Sequence, residues 1–206
     1  GGTGQATKFD NVRLIESNSI TFSTPTGDAP SLRPHAFEGM SINTGGVDRL
    51  IVSKEGNVTK PGNAAFHVTG TAAGVSVSAN TSVKLPYNTE TGSSGYFDVG
   101  AHYDTSNYRF TAPVAGIYFF YASMLNFPSA NSSYFTLKGA KNGSSSYSYG
   151  FARLNSANEQ TDKNFSTIVS LQANDTFEVQ YEAANGGNYN YYISGGHGHF
   201  FGFLLQ

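Results

Sequence analysis

Two histidines near the C-terminus, His197 and His199, are the residues best suited by type and spacing to hold a metal ion. A single glycine separates them, so both rings would lie on one face of the chain if the last strand began early. Imidazole nitrogens suit iron, nickel or zinc. The glycine-rich surroundings, SGGHGHF, do not ensure that the rings converge, and solvated loop histidines are the alternative.

A second polar pair, His102 and Asp104 in HYD, could serve acid–base chemistry beside one of the many serines. No G-x-S-x-G elbow or other nucleophile context accompanies it. The carboxylates Asp98, Asp104 and Asp175 are scattered, which gives no support to a paired acid and base. Cysteine is absent, which excludes a thiolate nucleophile, a disulfide and a thiolate zinc site. We therefore expect no catalytic residue and no enzymatic activity.

Two tyrosine-rich segments, YSYGF (147 to 151) and NYNYYI (188 to 193), have the composition of a recognition surface. Tyrosine offers a flat apolar ring and a hydrogen-bonding tip at low entropy cost, which suits stacking on sugar rings. If both segments are loops, a ligand would contact their tyrosines, namely Tyr147, Tyr149, Tyr189, Tyr191 and Tyr192. The alternative is that these rings cover the ends of the fold or fill a subunit interface.

The overall composition restricts the partners and the fold class. A net charge of −2 with 13% charged residues favours neither nucleic acid nor a polybasic membrane contact. No run of eighteen apolar residues occurs, so we expect no membrane insertion. The start, GGTGQATKFD, lacks a secretion signal and an initiator methionine, which indicates a processed chain or an expressed fragment. Abundant glycine (24) and tyrosine (13), without a helical stripe, predict an all-β fold.

The chain has two regions of different composition, with a boundary at Pro61-Gly62. The first region, residues 1–62, contains short alternating pieces (VRLI, SITFS and DRLIVS) and a hairpin turn at Glu55-Gly56-Asn57. Residues 1–64 hold 12 of the 26 charged residues but 3 of the 29 aromatic ones, which is too few to form a core. Such a region is either a solvated linker or a shaft that obtains a core by winding around identical copies.

The second region, residues 63–206, is predicted to be a jelly roll or a similar Greek-key sandwich. In DTFEVQYE, Phe177, Val179 and Tyr181 would face the core while Glu178, Gln180 and Glu182 face water. Eight strands follow one another with glycine-rich or asparagine-rich connections, namely AAFHVT, SVKLPY, YFDVGAHY, IYFFYASM, YFTLKGA, STIVSLQ, DTFEVQYE and HFFGFLLQ.

Two of these strands are apolar on both faces. One face of IYFFYA carries Ile117, Phe119 and Tyr121, and the other carries Tyr118, Phe120 and Ala122. In HFFGFLLQ, Phe201, Phe203 and Leu205 share one face, Phe200 and Leu204 occupy the other, and Gly202 permits a close approach. One face would pack on the core and the other on another copy of the chain, which predicts a homo-oligomer. Coverage by the chain's own N-terminal segment is the alternative.

These motifs resemble the globular head domain of complement component 1q, a member of the tumour-necrosis-factor-like superfamily. The resemblance is carried by HYD (102 to 104), FTAPVAGIYFF (110 to 120), LKGAKNG (137 to 143), LQANDTFEVQ (171 to 180) and FFGFLL at the end. It implies a ten-stranded jelly roll, a homotrimer and a binding head that is not an enzyme. The trimer interface is then expected to contain Phe66, Tyr118, Phe120, Phe201, Phe203 and Leu205.

Two positions depart from the family pattern. The usual turn glycine before the basic residue and phenylalanine is replaced, since TSNYRF has Asn107-Tyr108 there. Calcium-binding members carry aspartates in the loop after the central strand, whereas NFPSANSS (126 to 133) has none, so we expect no calcium. We therefore expect no cofactor, with one possible exception. In a trimer, His197 and His199 of three copies would offer six nitrogens around the threefold axis, where they could hold a metal ion.

The segment DRLIVSKEGNVTKPGNAAF resembles units of tail-fibre and appendage proteins of tailed bacteriophages, where they precede a C-terminal head. Together the two resemblances imply a trimeric virion appendage, attached to other virion proteins through residues 1–62, whose head binds a host-surface receptor such as a glycan. A capsid decoration protein with a projecting trimeric head and a secreted binding module are the alternatives. The expected location is the virion surface or, for the last alternative, the extracellular medium.

Overall fold

The structure, a computed structural model, describes residues 20–21, 31–35, 39–90, 95–128, 134–144, 148–155, 160–184 and 189–206. The chain divides into two compact units, residues 1–62 and 63–206. The described residues form strands and turns but no helix, so the predicted all-β fold class is confirmed. Across these ranges there is, accordingly, no helix of the length and apolarity needed to cross a membrane.

The described part of the first unit is one antiparallel sheet in which each strand pairs with the next along the chain. The predicted hairpin turn is present: Gly56 has a positive φ of 85°, and its N–H donates to the carbonyl oxygen of Ser53. The segment VRLI lies outside the described residues. The strands are β1 (Ile20–Thr21), β2 (Ser31–His35), β3 (Gly39–Thr44), β4 (Val47–Val52) and β5 (Val58–Thr59).

The buried side chains described in this first sheet are polar. Ser41 and Asn43 on β3 are buried, and both donate hydrogen bonds to Asp48 Oδ1, over 2.9 and 3.1 Å. No apolar side chain among the described residues of this unit is buried. Large apolar side chains are exposed instead, namely Met40, Ile42, Val47 and Val58.

The second unit is a sandwich of two antiparallel sheets. The six-stranded sheet consists of β8 (Thr81–Lys84), β10 (Tyr103–Asp104), β11 (Arg109–Thr111), β13 (Tyr134–Lys141), β14 (Ser148–Asn155) and β16 (Thr176–Ala184). The seven-stranded sheet consists of β6 (Ala65–Thr69), β7 (Val75–Val77), β9 (Phe97–Val99), β12 (Gly116–Pro128), β15 (Thr161–Leu171), β17 (Tyr189–Tyr192) and β18 (His199–Leu204).

Some lateral positions of the sandwich are filled by two short strands in succession. Strands β18 and β17 pair with consecutive parts of one edge of β12, while β15 pairs along the other edge. Strand β6 pairs with β18, and β7 pairs with β17, so β6 and β7 also follow one another at a single lateral position. Strands β11 and β8 likewise pair with consecutive parts of one edge of β16. The described strands of this unit therefore number thirteen rather than ten, because three positions each hold two segments.

Aromatic rings from the two sheets meet in the core. Phe120 of β12 stacks on Phe177 of β16, with ring centroids 4.1 Å apart and an interplanar angle of 8°. Phe66 of β6 stacks on Tyr103 and Phe110 of the opposite sheet, at 5.0 and 5.1 Å. Because these rings have almost no exposed surface, their burial contributes a large apolar stabilisation.

Strand boundaries differ from the predicted ones where the backbone turns sharply. YFDVGAHY is two strands, β9 and β10, because Gly100 and Ala101 both have positive φ, 87° and 55°. Conversely, the tyrosine-rich segments that were expected as loops contribute residues to β14 and β17. Periodicity did not reveal these two strands because their sequences have no sustained alternation of apolar and polar residues.

The outward side chains of β16 are less exposed than predicted. Glu178 and Gln180 were expected to face water, but both are buried, and only Glu182 of the three is half-exposed. Lys84 Nζ lies 2.6 Å from Glu178 Oε2, and Gln180 Nε2 donates to Glu178 Oε1 over 2.9 Å. The polar ends pair with one another, which compensates for their removal from water.

Candidate functional site

The outward side of the seven-stranded sheet carries aromatic side chains that are not part of the core. In β12 and β18 the even-numbered side chains point into the sandwich, and the odd-numbered ones point outward. The register pairs Phe119 with Phe203 and Tyr121 with Phe201. Cross-strand partners lie on the same side of a sheet, so these four rings form one outward group.

The same rows continue into the flanking strands. Phe201 pairs with His67 of β6, which pairs with Phe97 of β9. On the other side, Phe119 pairs with Ile168 of β15. We call this surface the apolar sheet face and define it by its six large members, Phe97, Phe119, Tyr121, Ile168, Phe201 and Phe203.

The rings of the apolar sheet face are packed against one another. Tyr121 stacks on Phe201 with centroids 4.8 Å apart and planes inclined by 22°. Phe119 and Phe203 lie 5.3 Å apart. Phe201 and His67 are in an edge-to-face arrangement, with ring centroids 5.5 Å apart. The rings therefore form a continuous apolar layer with a defined shape.

This layer is only partly covered by the chain itself. The exposed fraction is 47% for Phe97, 63% for Ile168 and 40% for Phe203. Leu205, directly after β18, is 45% exposed. A contiguous group of large exposed apolar side chains is uncommon on a monomeric protein and marks an interaction surface.

Three of the six predicted interface residues lie elsewhere. Phe66, Tyr118 and Phe120 are 0 to 1% exposed and belong to the core, so their assignment to the interface is wrong. A side chain with no exposed surface in one chain has none to offer to a second copy. The other three, Phe201, Phe203 and Leu205, lie on the outward side.

The sequence had shown that β12 is apolar on both faces, but it could not show which face is inside. Even-numbered Tyr118 and Phe120 were assigned to the interface, whereas the structure places odd-numbered Phe119 and Tyr121 on the outward side of the sheet. The clean alternation of apolar and polar residues in β16 shows which side of β16 faces the core. It does not show which side of β12 does so, because β12 lies in the other sheet. The members Phe97 and Ile168 were missed altogether.

A group of imidazole and phenol rings borders the apolar sheet face. His67 Nε2 lies 3.2 Å from His199 Nδ1. The ring of Tyr96 packs against His67 with centroids 4.9 Å apart. The other nitrogen of His199, Nε2, is 3.1 Å from the carbonyl oxygen of Gly196. Both histidine side chains are half-buried.

Burial is the main reason why the pKa of His67 is lower than usual, and the neighbouring His199 lowers it further. A hydrogen bond to the backbone of Gly95 acts in the opposite direction.

His197 has a different partner from His199. Its Nδ1 lies 3.2 Å from Asp162 Oδ1 at the start of β15, and its side chain is 44% exposed. The two histidines of the predicted H-x-H pair therefore have different partners: His197 contacts a carboxylate, and His199 contacts a second imidazole. Among the described residues, no group of three or more His, Asp or Glu side chains is arranged to hold a metal ion.

The tyrosines predicted to contact a ligand have different environments. Tyr147 lies outside the described residues; Tyr149 belongs to β14 and Tyr189 to β17. Tyr191 is 5% exposed, and burial raises the pKa of its hydroxyl, so it cannot offer its ring to a ligand. Tyr192 is half-buried, with its hydroxyl beside Gly74.

The HYD segment holds turns rather than a catalytic pair. Asp104 Oδ1 accepts hydrogen bonds from the N–H groups of Ser106 and Asn107, and the Asn107 side chain donates to Asp104 Oδ2. These bonds, led by the one from the Asn107 side chain, lower the pKa of Asp104. The backbone N–H of His102 donates to Asp98. The carboxylates are engaged in shaping the backbone.

Comparison with known proteins gives one matching family and a number of similar solved structures. The family model of the C1q domain matches residues 65–205. Among solved structures, the globular domain of zebrafish complement 1qA protein is similar, with 18% sequence identity and a TM-score of 0.49. The similarity covers 70% of this chain and 98% of the zebrafish domain. No curated protein matches the chain.

Proposed function

The chain belongs to the C1q domain family, and on that premise we propose that it is a trimeric virion appendage whose head binds a host-surface receptor. Domains of this family are binding modules without enzymatic activity, are typically trimeric and are typically extracellular. The proposal adds three elements to that description: a trimer formed through the apolar sheet face, a virion as the location, and a receptor as the ligand.

The apolar sheet face is the observation that carries the trimer. Its side chains Phe97, Ile168 and Phe203 are 40 to 63% exposed in one chain. Leaving such surface in water costs about 25 cal/mol for each Å². Closed rotational symmetry buries the same patch on every copy, and the three copies typical of the family do so around one axis.

Residues 1–62 are proposed to be the attachment region. One side of its sheet presents apolar residues in register, since Ile42 on β3 pairs with Leu32 and Leu50, and Met40 pairs with Val52. No described apolar side chain of this unit is buried within one chain. Winding around identical copies, or docking on another virion protein, would supply the missing core.

The virion location rests on the segment DRLIVSKEGNVTKPGNAAF, which resembles units of phage fibre proteins. It spans β4, the turn at Gly56, β5 and the start of β6, so it connects the first unit to the head. In such a fibre the head points away from the particle. Three heads on one rigid trimer, repeated over a virion, would bind a receptor by multivalency even where each contact is weak.

We propose a host-surface glycan as the receptor class, contacted by the tyrosine-rich segments around Tyr147, Tyr149, Tyr189 and Tyr192. Aromatic rings with hydroxyl tips stack on sugars and accept hydrogen bonds from them. Tyr191 is not included among these contact residues, because its ring is buried.

The test is competition for adsorption. The purified full chain should bind cells of the host and reduce adsorption of the phage that encodes it. A matched variant, Phe203→Glu, should bind far more weakly because a single head lacks multivalency. Binding to empty shells but not to cells would contradict the receptor and favour a decoration protein. Absence of binding to both would contradict a virion role.

A further inference from the structure

One side of the apolar sheet face contains a cavity of about 400 Å³. The cavity lies over β18 and β6, with β9 at its rim, and its largest walls are the rings of Phe97, Phe201 and Phe203. Ala65 also lines it, and because this side chain is small it leaves space among the larger ones. A concave site of this size and apolar character can enclose an apolar group of a ligand or partner.

The other side of the apolar sheet face carries a single projecting side chain, Ile168 of β15, which is 63% exposed. Alternate residues of a strand share a side, so the outward neighbours of Ile168 along β15 are Ser166 and Ser170, and both are exposed. Ile168 is therefore a large apolar side chain in an otherwise polar row. Its projection has the character of a group that would fill an apolar cavity.

Ile168 cannot reach the cavity of its own chain. The register places four residues in one row across β15, β12, β18 and β6, namely Ile168, Phe119, Phe203 and Ala65. Three strand spacings of about 4.8 Å each separate Ile168 from Ala65 by about 14 Å. An isoleucine side chain is much shorter than this distance. An Ile168 side chain that enters such a cavity must therefore come from another copy of the chain.

The geometry points to a contact in which Ile168 of one copy occupies the cavity beside Ala65 of the next copy. Because the two residues share a row, they lie at the same level along the strands. Rotation about an axis along the strands can then join them without a shift along that axis, which is the condition for a closed assembly. This contact rests on the trimer proposed above, and it specifies which residues of adjacent copies meet.

The test is disulfide cross-linking of the full chain, which has no cysteine of its own. In Ala65→Cys/Ile168→Cys, mild oxidation should link adjacent copies into a covalent trimer on a non-reducing denaturing gel. A bridge within one chain is excluded, because the separation of about 14 Å is twice the roughly 7 Å that a disulfide can span between Cα atoms. Neither single variant should give linked chains. Ala65→Cys/Val75→Cys is the matched control and should give none, since Val75 is exposed but lies outside the apolar sheet face.

A second measurement leaves the cavity unchanged and alters only the projecting side chain. Ile168→Ser should raise the concentration at which the trimer dissociates at least about tenfold, because it removes an apolar side chain that the contact buries. Ile168→Val keeps the branched shape and most of the apolar surface, so it should change that concentration far less. Sedimentation equilibrium over a dilution series measures both variants against the wild type.

The outcomes separate this contact from the trimer itself. A wild-type trimer whose double-cysteine variant gives no linked chains, and whose dissociation Ile168→Ser leaves unchanged, would overturn the contact but not the trimer. That result is expected if another segment of the same chain fills the cavity. Linked chains from Ile168→Cys alone would also overturn it, because Ile168 would then meet its own counterpart and not the cavity. Wild-type protein that sediments as one chain would overturn both proposals.

Discussion

Tyr121 on β12 and Phe201 on β18 stack on the outward side of the sheet, with centroids 4.8 Å apart. Each ring supports the other, but neither is covered by the rest of the chain to the extent of the rings in the core. Directly behind them, Phe120 stacks on Phe177 and is completely buried. Strand β12 therefore contributes side chains both to the core and to the apolar sheet face.

Phe203→Glu should separate the trimer without unfolding the head. The side chain is 40% exposed, so a carboxylate there remains hydrated in a single chain but would be buried among apolar rings in the assembly. We expect the variant to sediment as one folded chain, with its own stability lowered by about 1–2 kcal/mol through loss of the ring contact with Phe119. Sedimentation velocity and urea unfolding measure the two effects.

Val75→Glu is the control for this variant. Val75 has the same exposed fraction, 40%, but pairs with the buried Tyr191 rather than with a member of the apolar sheet face. It should leave the assembly intact. Equal loss of assembly in both variants would mean that added charge, and not the position of Phe203, is responsible.

Gly202→Ala should destabilise the head. A Cβ at this position would meet the ring of Phe120 and come 2.8 Å from the carbonyl oxygen of Phe119. Forcing an extra methyl group into a packed core typically costs about 1–3 kcal/mol. The measurement is the free energy of unfolding by urea, and Gly62→Ala, where a Cβ meets nothing within 4 Å, is the control. A Gly202→Ala head as stable as wild type would show that the ring of Phe120 moves aside freely.

Tyr108 stands in a conformation that favours glycine. Its φ is 54°, in the left-handed region, where side chains other than glycine cost about 1–2 kcal/mol. Tyr108→Gly removes that cost and also removes a half-buried ring, so we expect stability to stay within about 1 kcal/mol of wild type. Tyr108→Val should be clearly less stable than Tyr108→Gly, because a β-branched residue fits this region poorly. The reverse order in urea unfolding would contradict the strain.

Asp175 should make the head sensitive to acid. Hydrogen bonds lower the pKa of the Asp175 carboxyl to about 2. The largest contribution comes from the Asn142 side chain, followed by Lys141 and the N–H of Gln172. A carboxyl with a lowered folded pKa stabilises the protein above its unfolded pKa, near 3.8, and that contribution is lost as pH falls from there toward 2. Asp175→Asn should therefore lose less stability than wild type across this window, as measured by unfolding at each pH.

Asn142→Gly supplies the complementary measurement. Glycine accepts the positive φ of 53° at this position but removes the amide that donates to Asp175 Oδ1 over 2.8 Å. The pKa of Asp175 should rise, as followed by its carboxyl ¹³C shift. An unchanged pKa would assign the shift to Lys141 and the backbone alone.

The sequence predicted the fold class because its signals are local. Alternation in β16, the double apolar character of β12 and β18 and the turn at Gly56 each follow from a few neighbouring residues. The sequence also marked Asn107-Tyr108 as standing where the family has a turn glycine, and the structure gives Tyr108 a positive φ of 54°. Local patterns could identify these features without any knowledge of distant contacts.

Contacts between distant segments could not be predicted in this way. Which side of β12 faces inward depends on its register with β18, where Phe119 pairs with Phe203. His67 was not singled out at all, because its partner His199 lies 132 positions away. The strand β17 was missed because its pairing with β7 and β12, and not its own sequence pattern, holds it in the sheet.

If three copies bury the apolar sheet face together, sedimentation equilibrium of the full chain at micromolar concentration should show a single species. Its mass should be three times the chain mass of 21.9 kDa, and Phe203→Glu should reduce it to that of one chain. A wild-type protein that remains one stable chain of 21.9 kDa over this concentration range would contradict it.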